Sequence, residues 1–184
     1  LLRGVVPVRR TLLSHYYDTP EHALFRRGVA LRLRRVGYHW VQTLKAEPAH
    51  PGAVTARPEW EVRVTGNRLD PAVLPEAARA CLAGIDTDRL AVVFSTEFTR
   101  TAWHVEDRGS SLEIALDVGE IRAGAQRAPL SEIECELKAG DRQRLYDLAG
   151  ALLAQVPLSL EPRSKAERGY QLAGIVAPGP VRAR

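Results

Sequence analysis

Runs in which charged and apolar residues alternate one for one recur along this chain, and they narrow its possible folds more than anything else in it. Leu31-Arg32-Leu33-Arg34 sets both arginines on one side of an extended strand and both leucines on the other. Glu59-Trp60-Glu61-Val62-Arg63-Val64 alternates without a break, as do Leu112 to Val118 and Glu132 to Lys138. Trp40 to Lys45 groups Val41, Thr43 and Lys45, and Phe94 to Trp103 groups Thr96, Phe98 and Arg100. A period of two is the mark of strands with two unlike faces.

Helices punctuate these strands. Thr19-Pro20 reads as a cap and a first helical residue, with Gly28 ending a short helix. A second short helix fits Pro71 to Ala83, before Gly84. Asp141 caps the longest, whose stripe of Leu145, Leu148, Ala149, Leu152, Leu153 and Val156 runs to Pro157. Ser164 caps a last one carrying Lys165 and Arg168 on neighbouring turns. His50-Pro51-Gly52 is a loop, and the stretch from Ala177 with Pro178, Gly179 and Pro180 is a linker or tail. This order is α+β or mainly β, with antiparallel strands and a few inserted helices.

Taken singly, each charged row also suits the wet side of an antiparallel sheet. Two features argue for an interior instead. The signs segregate by strand, with arginines at Arg32 and Arg34 and carboxylates at Glu59/Glu61, Glu113/Asp117 and Glu132/Glu134/Glu136. Helices are also too few to cover an apolar face on every strand, whereas a closed sheet can line its inside with polar rows. Each desolvated charge costs roughly several kcal/mol unless paired. Surplus arginines call for an anion and surplus carboxylates for a cation, and a metal–polyphosphate complex supplies both.

Composition sets the outer bounds. The 184 residues fit one domain, 45% hydrophobic and 26% charged, with a net charge of +4. Only Lys45, Lys138 and Lys165 are lysines, so the cations are almost all arginine, the side chain that pairs bidentately with phosphate and carboxylate. The arginines alternate with carboxylates instead of clustering with aromatics, which argues against a nucleic-acid binder. Cys81 and Cys135 offer neither metal spacing nor a disulfide framework, and no apolar run reaches membrane-spanning length, so a cytoplasmic protein is expected.

In order and wording the runs resemble the CYTH superfamily, which includes bacterial inorganic triphosphatases, thiamine triphosphatases and class IV adenylyl cyclases. The matching runs are Tyr16-Tyr17-Asp18-Thr19-Pro20, Ala30 to Arg34, Thr43-Leu44-Lys45, Arg57-Pro58-Glu59-Trp60-Glu61, Phe94 to Arg100, Glu113 to Glu120, Glu132-Ile133-Glu134 and Ser164 to Tyr170. They span Tyr16 to Leu172, so residues 1–176 form the matching domain and residues 177–184 a Pro/Gly linker or tail. The wording is similar to bacterial proteins in which this domain precedes a helical, histidine-rich CHAD domain, an expected partner in the full-length protein.

The resemblance implies a closed, eight-stranded antiparallel β-barrel with a few flanking helices, a tunnel that hydrolyses inorganic tripolyphosphate to pyrophosphate and phosphate. Carried over by position, Arg32, Arg34, Lys45, Arg100, Lys165 and Arg168 become triphosphate ligands. Asp117, Glu132 and Glu134 become the metal side for Mg²⁺ or Mn²⁺, with Glu61 and Glu113 as auxiliary metal residues and Glu59 and Glu136 as further candidates for that role. Lys45 and Arg100 take catalytic roles, Lys45 being the first candidate base, while Tyr16 and Tyr17 build the barrel's edge. The family's N-terminal Glu-x-Glu-x-Lys strand has no counterpart between Leu1 and His15; either it lies upstream of this sequence, the favoured expectation, or the chain is a truncated, inactive piece. A non-catalytic polyphosphate-binding module, a thiamine triphosphatase and an adenylyl cyclase are the competing readings.

Overall fold

The computed structural model describes residue 2, residues 4–46 and residues 58–177. The His50-Pro51-Gly52 loop, Arg57 and the stretch from Pro178 lie outside the described residues. Seven strands are found among them: β1 (Val8–Asp18), β2 (Val29–Val36), β3 (His39–Ala46), β4 (Glu59–Val64), β5 (Ala91–Asp107), β6 (Ser110–Ala123) and β7 (Gln126–Ala139). Four α-helices accompany them: α1 (Ala23–Arg26), α2 (Glu76–Cys81), α3 (Arg142–Gln155) and α4 (Lys165–Leu172). The strands form one sheet in the order β4-β3-β2-β1-β5-β6-β7. Every alternating run of the sequence lies in a strand.

The order corrects one expectation. Tyr16 and Tyr17 lie on β1, in the middle of the strand order between β2 and β5, and not at an edge. The inward residues of β1 are Leu12, Ser14, Tyr16 and Asp18, a mixed row with no apolar–polar alternation. Period-two reading therefore passes over this strand.

The chain divides into two compact units. The first comprises Leu1–Thr11, Phe98–Glu120 and Pro129–Glu161; the second comprises Leu12–Glu97, Ile121–Ala128 and Pro162–Arg184. In the second unit, register lines residues up in rows across the strands. Tyr16, Arg32, Thr43 and Glu61 are successive partners across β1 to β4, and Ser14, Arg34, Val41 and Arg63 form the next row. The opposite face presents Leu31 beside Leu44 and Trp60, all packed with Leu24, Leu74, Ala78 and Leu82 from the helical segments. Each such buried leucine contributes about 1.5–3 kcal/mol. The helices thus cover the leucine face and leave the ionic face to the other side of the sheet.

The helices of this unit are shorter than their sequence signals suggest. The expected helix at Pro20 starts only at Ala23, because Asp18 and not Thr19 takes the main donors. Its carboxylate accepts from the backbone of Thr19, Leu24 and Phe25, while Thr19 Oγ1 accepts from Ala23. The expected Pro71–Ala83 helix is broken into a 3₁₀ turn at Pro71–Val73 and α2, since Pro75 has no N–H to continue the first.

The first unit is a hairpin pair with a helix on it. β5 turns into β6 through Arg108 and Gly109, both at positive φ (48° and 77°), the conformation that suits a two-residue hairpin. Asp141 caps α3 as expected, accepting from Gln143 N at 2.9 Å. Leu145, Leu148 and Leu152 then pack on Val105, Leu112, Ile114, Ile133, Cys135 and Leu137. The apolar stripe is narrower than predicted, for Leu153 and Val156 are exposed.

Candidate functional site

The acidic residues of the first unit converge. On β5, β6 and β7 respectively, Arg100, Asp117 and Glu134 form one ionic knot. Arg100 Nε donates to Asp117 Oδ1 at 2.8 Å and Nη2 to Oδ2 at 2.7 Å, a bidentate fork, and Nη2 also meets Glu134 Oε2. Asp117 is fully buried, which a carboxylate tolerates only with strong partners. Burial works against the charge on Arg100, but its hydrogen bonds to Asp117 and the charge of Glu134 outweigh it and raise its pKa above the ordinary value. One carboxylate oxygen each from Asp117, Glu132 and Glu134 lies within 4.8 Å of the others.

Not every predicted acidic residue joins this group. Glu113 is directed to His104 Nε2 at 3.5 Å and Lys138 Nζ at 3.9 Å, and Lys138 also pairs with Glu136 at 2.8 Å. Glu61 belongs to the second unit, where it serves a cation. The converging set among the described residues is therefore Asp117, Glu132 and Glu134.

In the second unit the basic residues sit on the ionic face, held by carboxylates. Arg32, 8% exposed, places Nη2 3.2 Å from Glu61 Oε1 and 3.5 Å from Glu59 Oε1. Its buried Nε has no hydrogen-bond partner. Arg34 Nε donates to Ser14 Oγ at 2.9 Å, and Lys45 Nζ meets Glu59 Oε2 at 2.8 Å. Thr43 Oγ1 donates to Glu61 Oε1 at 3.0 Å. Burial alone would push the Glu61 carboxyl up; the Thr43 hydroxyl and the charges of Arg32 and Arg34 hold it below the usual range. Thr96 is fully buried in this unit, its Oγ1 without a partner.

Helix α4 carries the last two predicted ligands. Ser164 and Glu167 form a capping box: Ser164 Oγ accepts from Glu167 N at 3.2 Å while Glu167 Oε2 accepts from Ser164 N at 2.6 Å. Lys165 is buried and Arg168 partly so.

Two polar side chains of these networks escaped sequence reasoning. Ser14 takes Arg34 and Asp18 takes the α1 backbone, and both lie on the strand that period two does not detect. Cross-strand register is the signal that identifies Ser14, and it exists only once β1 pairs with β2.

The first unit thus gathers three carboxylates, and the second carries its cations on one face of its strands. A family model for the CYTH domain matches residues 1–170. The inorganic triphosphatase of Haemophilus influenzae is 35% identical over 170 residues, covering 88% of this chain and 48% of the relative, so the chain spans about half that protein's length. Among solved structures, a candidate adenylyl cyclase from Hippeastrum, described as having a dominant triphosphatase activity, matches with a TM-score of 0.60 at 19% identity. That match covers 92% of this chain and 85% of the other. The PH1819 protein of Pyrococcus horikoshii OT3 matches with a TM-score of 0.59 at 20% identity, covering 91% and 87%. These structures share the fold.

Proposed function

This chain belongs to the CYTH domain family, and we propose that it is a metal-dependent triphosphatase acting on inorganic tripolyphosphate in the cytoplasm. The observation that carries the reading is the trio Asp117, Glu132 and Glu134 gathered beside Arg100. Carboxylate oxygens alone are a hard donor set, which fits Mg²⁺ or Mn²⁺ and not a thiolate-seeking metal. A divalent ion bound there supplies Lewis acidity toward phosphoryl oxygens. We further propose that the strands form part of a closed eight-stranded barrel whose inner surface bears the ionic rows. The greater length of the Haemophilus influenzae relative supports an attached domain, for which a CHAD domain is our candidate.

The chain's own residues then bind and orient. Arg32, Arg34, Lys45, Lys165 and Arg168 take phosphate oxygens, each charge-assisted hydrogen bond contributing roughly 1.5–3 kcal/mol. Glu59 and Glu61 hold the Arg32 and Lys45 side chains in place. Arg100 engages Asp117 and Glu134 through Nε and Nη2, and its Nη1 takes part in neither contact, so that end is the donor for the transferred phosphoryl group. Water attacks the terminal phosphorus, the bond to the bridging oxygen breaks, and pyrophosphate leaves. Lys45, paired with Glu59 at 2.8 Å, is the candidate base. Lys45→Arg keeps the charge but cannot give up the proton, so activity retained in that variant removes the base role.

The test is phosphate release from tripolyphosphate by the full-length protein with Mg²⁺ or Mn²⁺ added. Release that depends on the ion and collapses in Arg34→Ala supports the reading. Tight triphosphate binding without release identifies a polyphosphate-binding module instead. Preferential turnover of thiamine triphosphate or ATP would move the assignment to the corresponding branch of the family.

A further inference from the structure

Two motifs far apart in the sequence, Tyr16-Tyr17-Asp18-Thr19-Pro20 and Gly169-Tyr170, meet in the second unit. Tyr170 Oη donates to Asp18 Oδ2 at 2.8 Å across 152 residues of chain. The same carboxylate, 1% exposed, accepts from Thr19 N and Leu24 N at 2.8 Å each and from Phe25 N at 3.0 Å. Both its oxygens are therefore committed, and three of its four donors are backbone groups that cannot swing away. Tyr170 is likewise held on all sides: its ring packs on Phe25 and edge-on to Phe94, which stacks on Tyr16. Gly169 lies directly against Phe94, where even a single methyl group would overlap the ring.

We propose that Asp18 and Tyr170 are positioning residues that lock α4 so that Lys165 and Arg168 present their charges to the triphosphate. α4 has eight residues, too few to hold its place by helix propensity alone, so something outside it must fix its rotation. The capping box sets where it starts, Gly169 sets how closely it approaches β5, and the Tyr170–Asp18 bond sets its rotation. Lys165 lies five residues before Tyr170 and Arg168 two before it, so a turn of the helix moves both together. A cation misplaced by about 1 Å can cost on the order of a hundredfold in rate or binding. This role rests on the proposed triphosphate reading, and it assigns a task to the Asp-Thr-Pro motif that the binding and metal residues leave unexplained.

The deciding experiment is a double-mutant cycle on the full-length protein with tripolyphosphate as substrate. Tyr170→Phe keeps the ring and removes only the hydroxyl. We expect its KM to rise about tenfold, the scale of one charge-assisted hydrogen bond, with kcat changed by less than about twofold. In a Lys165→Ala/Arg168→Ala background the same change should leave KM unaltered, because no cations remain to be misplaced. Gly169→Ala, which pushes α4 off Phe94 without touching Asp18, should show the same dependence on background. A KM increase of equal size in both backgrounds, or none in either, overturns the proposal and leaves the bond a purely structural one. If Tyr170→Phe does not fold, Gly169→Ala decides alone by the same criteria. Wild-type protein that neither binds nor hydrolyses tripolyphosphate sinks the functional reading itself along with this one, whereas active wild type with an unaltered Tyr170→Phe KM sinks this inference only.

Discussion

The two ionic groups of this protein are opposite solutions to the same difficulty. In the first unit Asp117 and Glu134 pair with one guanidinium, Arg100, and Glu132 brings a third carboxylate within 4.8 Å of theirs. In the second, four cations, Arg32, Arg34, Lys45 and Arg63, share a sheet face with two carboxylates, Glu59 and Glu61. One set leans negative and the other positive, each with internal pairs that offset part of the desolvation cost. Pairing keeps buried charge tolerable, and the residual sign is what the proposed function reads as a place for a hard cation in the first and for a polyanion in the second.

Breaking the acidic group should cost most. Asp117→Asn removes the buried carboxylate of that group and half the fork that holds Arg100; ion-dependent phosphate release should fall about a hundredfold or more, and partly recover at raised Mg²⁺ or Mn²⁺. A loss indifferent to ion concentration would remove Asp117 from the metal side. Arg34→Ala acts on the basic group, and its signature should be a KM about ten- to a hundredfold higher, an excess that shrinks as ionic strength rises, as steady-state assays at two salt concentrations would show. An equal metal-dependence in both variants would erase the distinction between the two regions.

Helix caps offer a gentler comparison. Asp141→Ala uncaps α3 and Ser164→Ala uncaps α4, and each should lower stability by about 1 kcal/mol in chemical denaturation. Only Ser164→Ala should raise KM, since α4 carries Lys165 and Arg168 while α3 packs on the core of the first unit. The smallest effect concerns pH. Burial and the neighbouring Asp18 charge raise the pKa of Tyr170, so the folded chain keeps that proton at pH values where the unfolded chain loses it. Its contribution is complete below the ordinary tyrosine value of about 10 and declines as pH rises beyond it. The melting-temperature gap between wild type and Tyr170→Phe should therefore narrow above that pH, and a constant gap would contradict the buried hydrogen bond.

Much of the candidate site could be read from local pattern. Arg32 with Arg34, Glu59 with Glu61, and Glu132 with Glu134 are each two residues apart on a strand, so their shared faces follow from strand geometry alone. The caps Asp141 and Ser164 were equally legible, because capping is settled within three or four residues. Glu113 and Asp117 show where that logic stops. Their spacing puts them on one face of β6, yet Asp117 meets Arg100 whereas Glu113 meets His104 and Lys138. Four residues of strand cover about 13 Å, more than one ion cluster spans.

The sequence by itself determined the strands of alternating charge, the sign of each row and the stops and caps of the longer helices, because all are decided by neighbours along the chain. Only the tertiary structure decided that β1 lies in mid-sheet, that Ser14 answers Arg34, and that Asp18 takes Tyr170 from the far end of the described chain. The physical reason is that a hydrogen bond depends on distance in space, and register between strands sets that distance for partners that no local pattern connects.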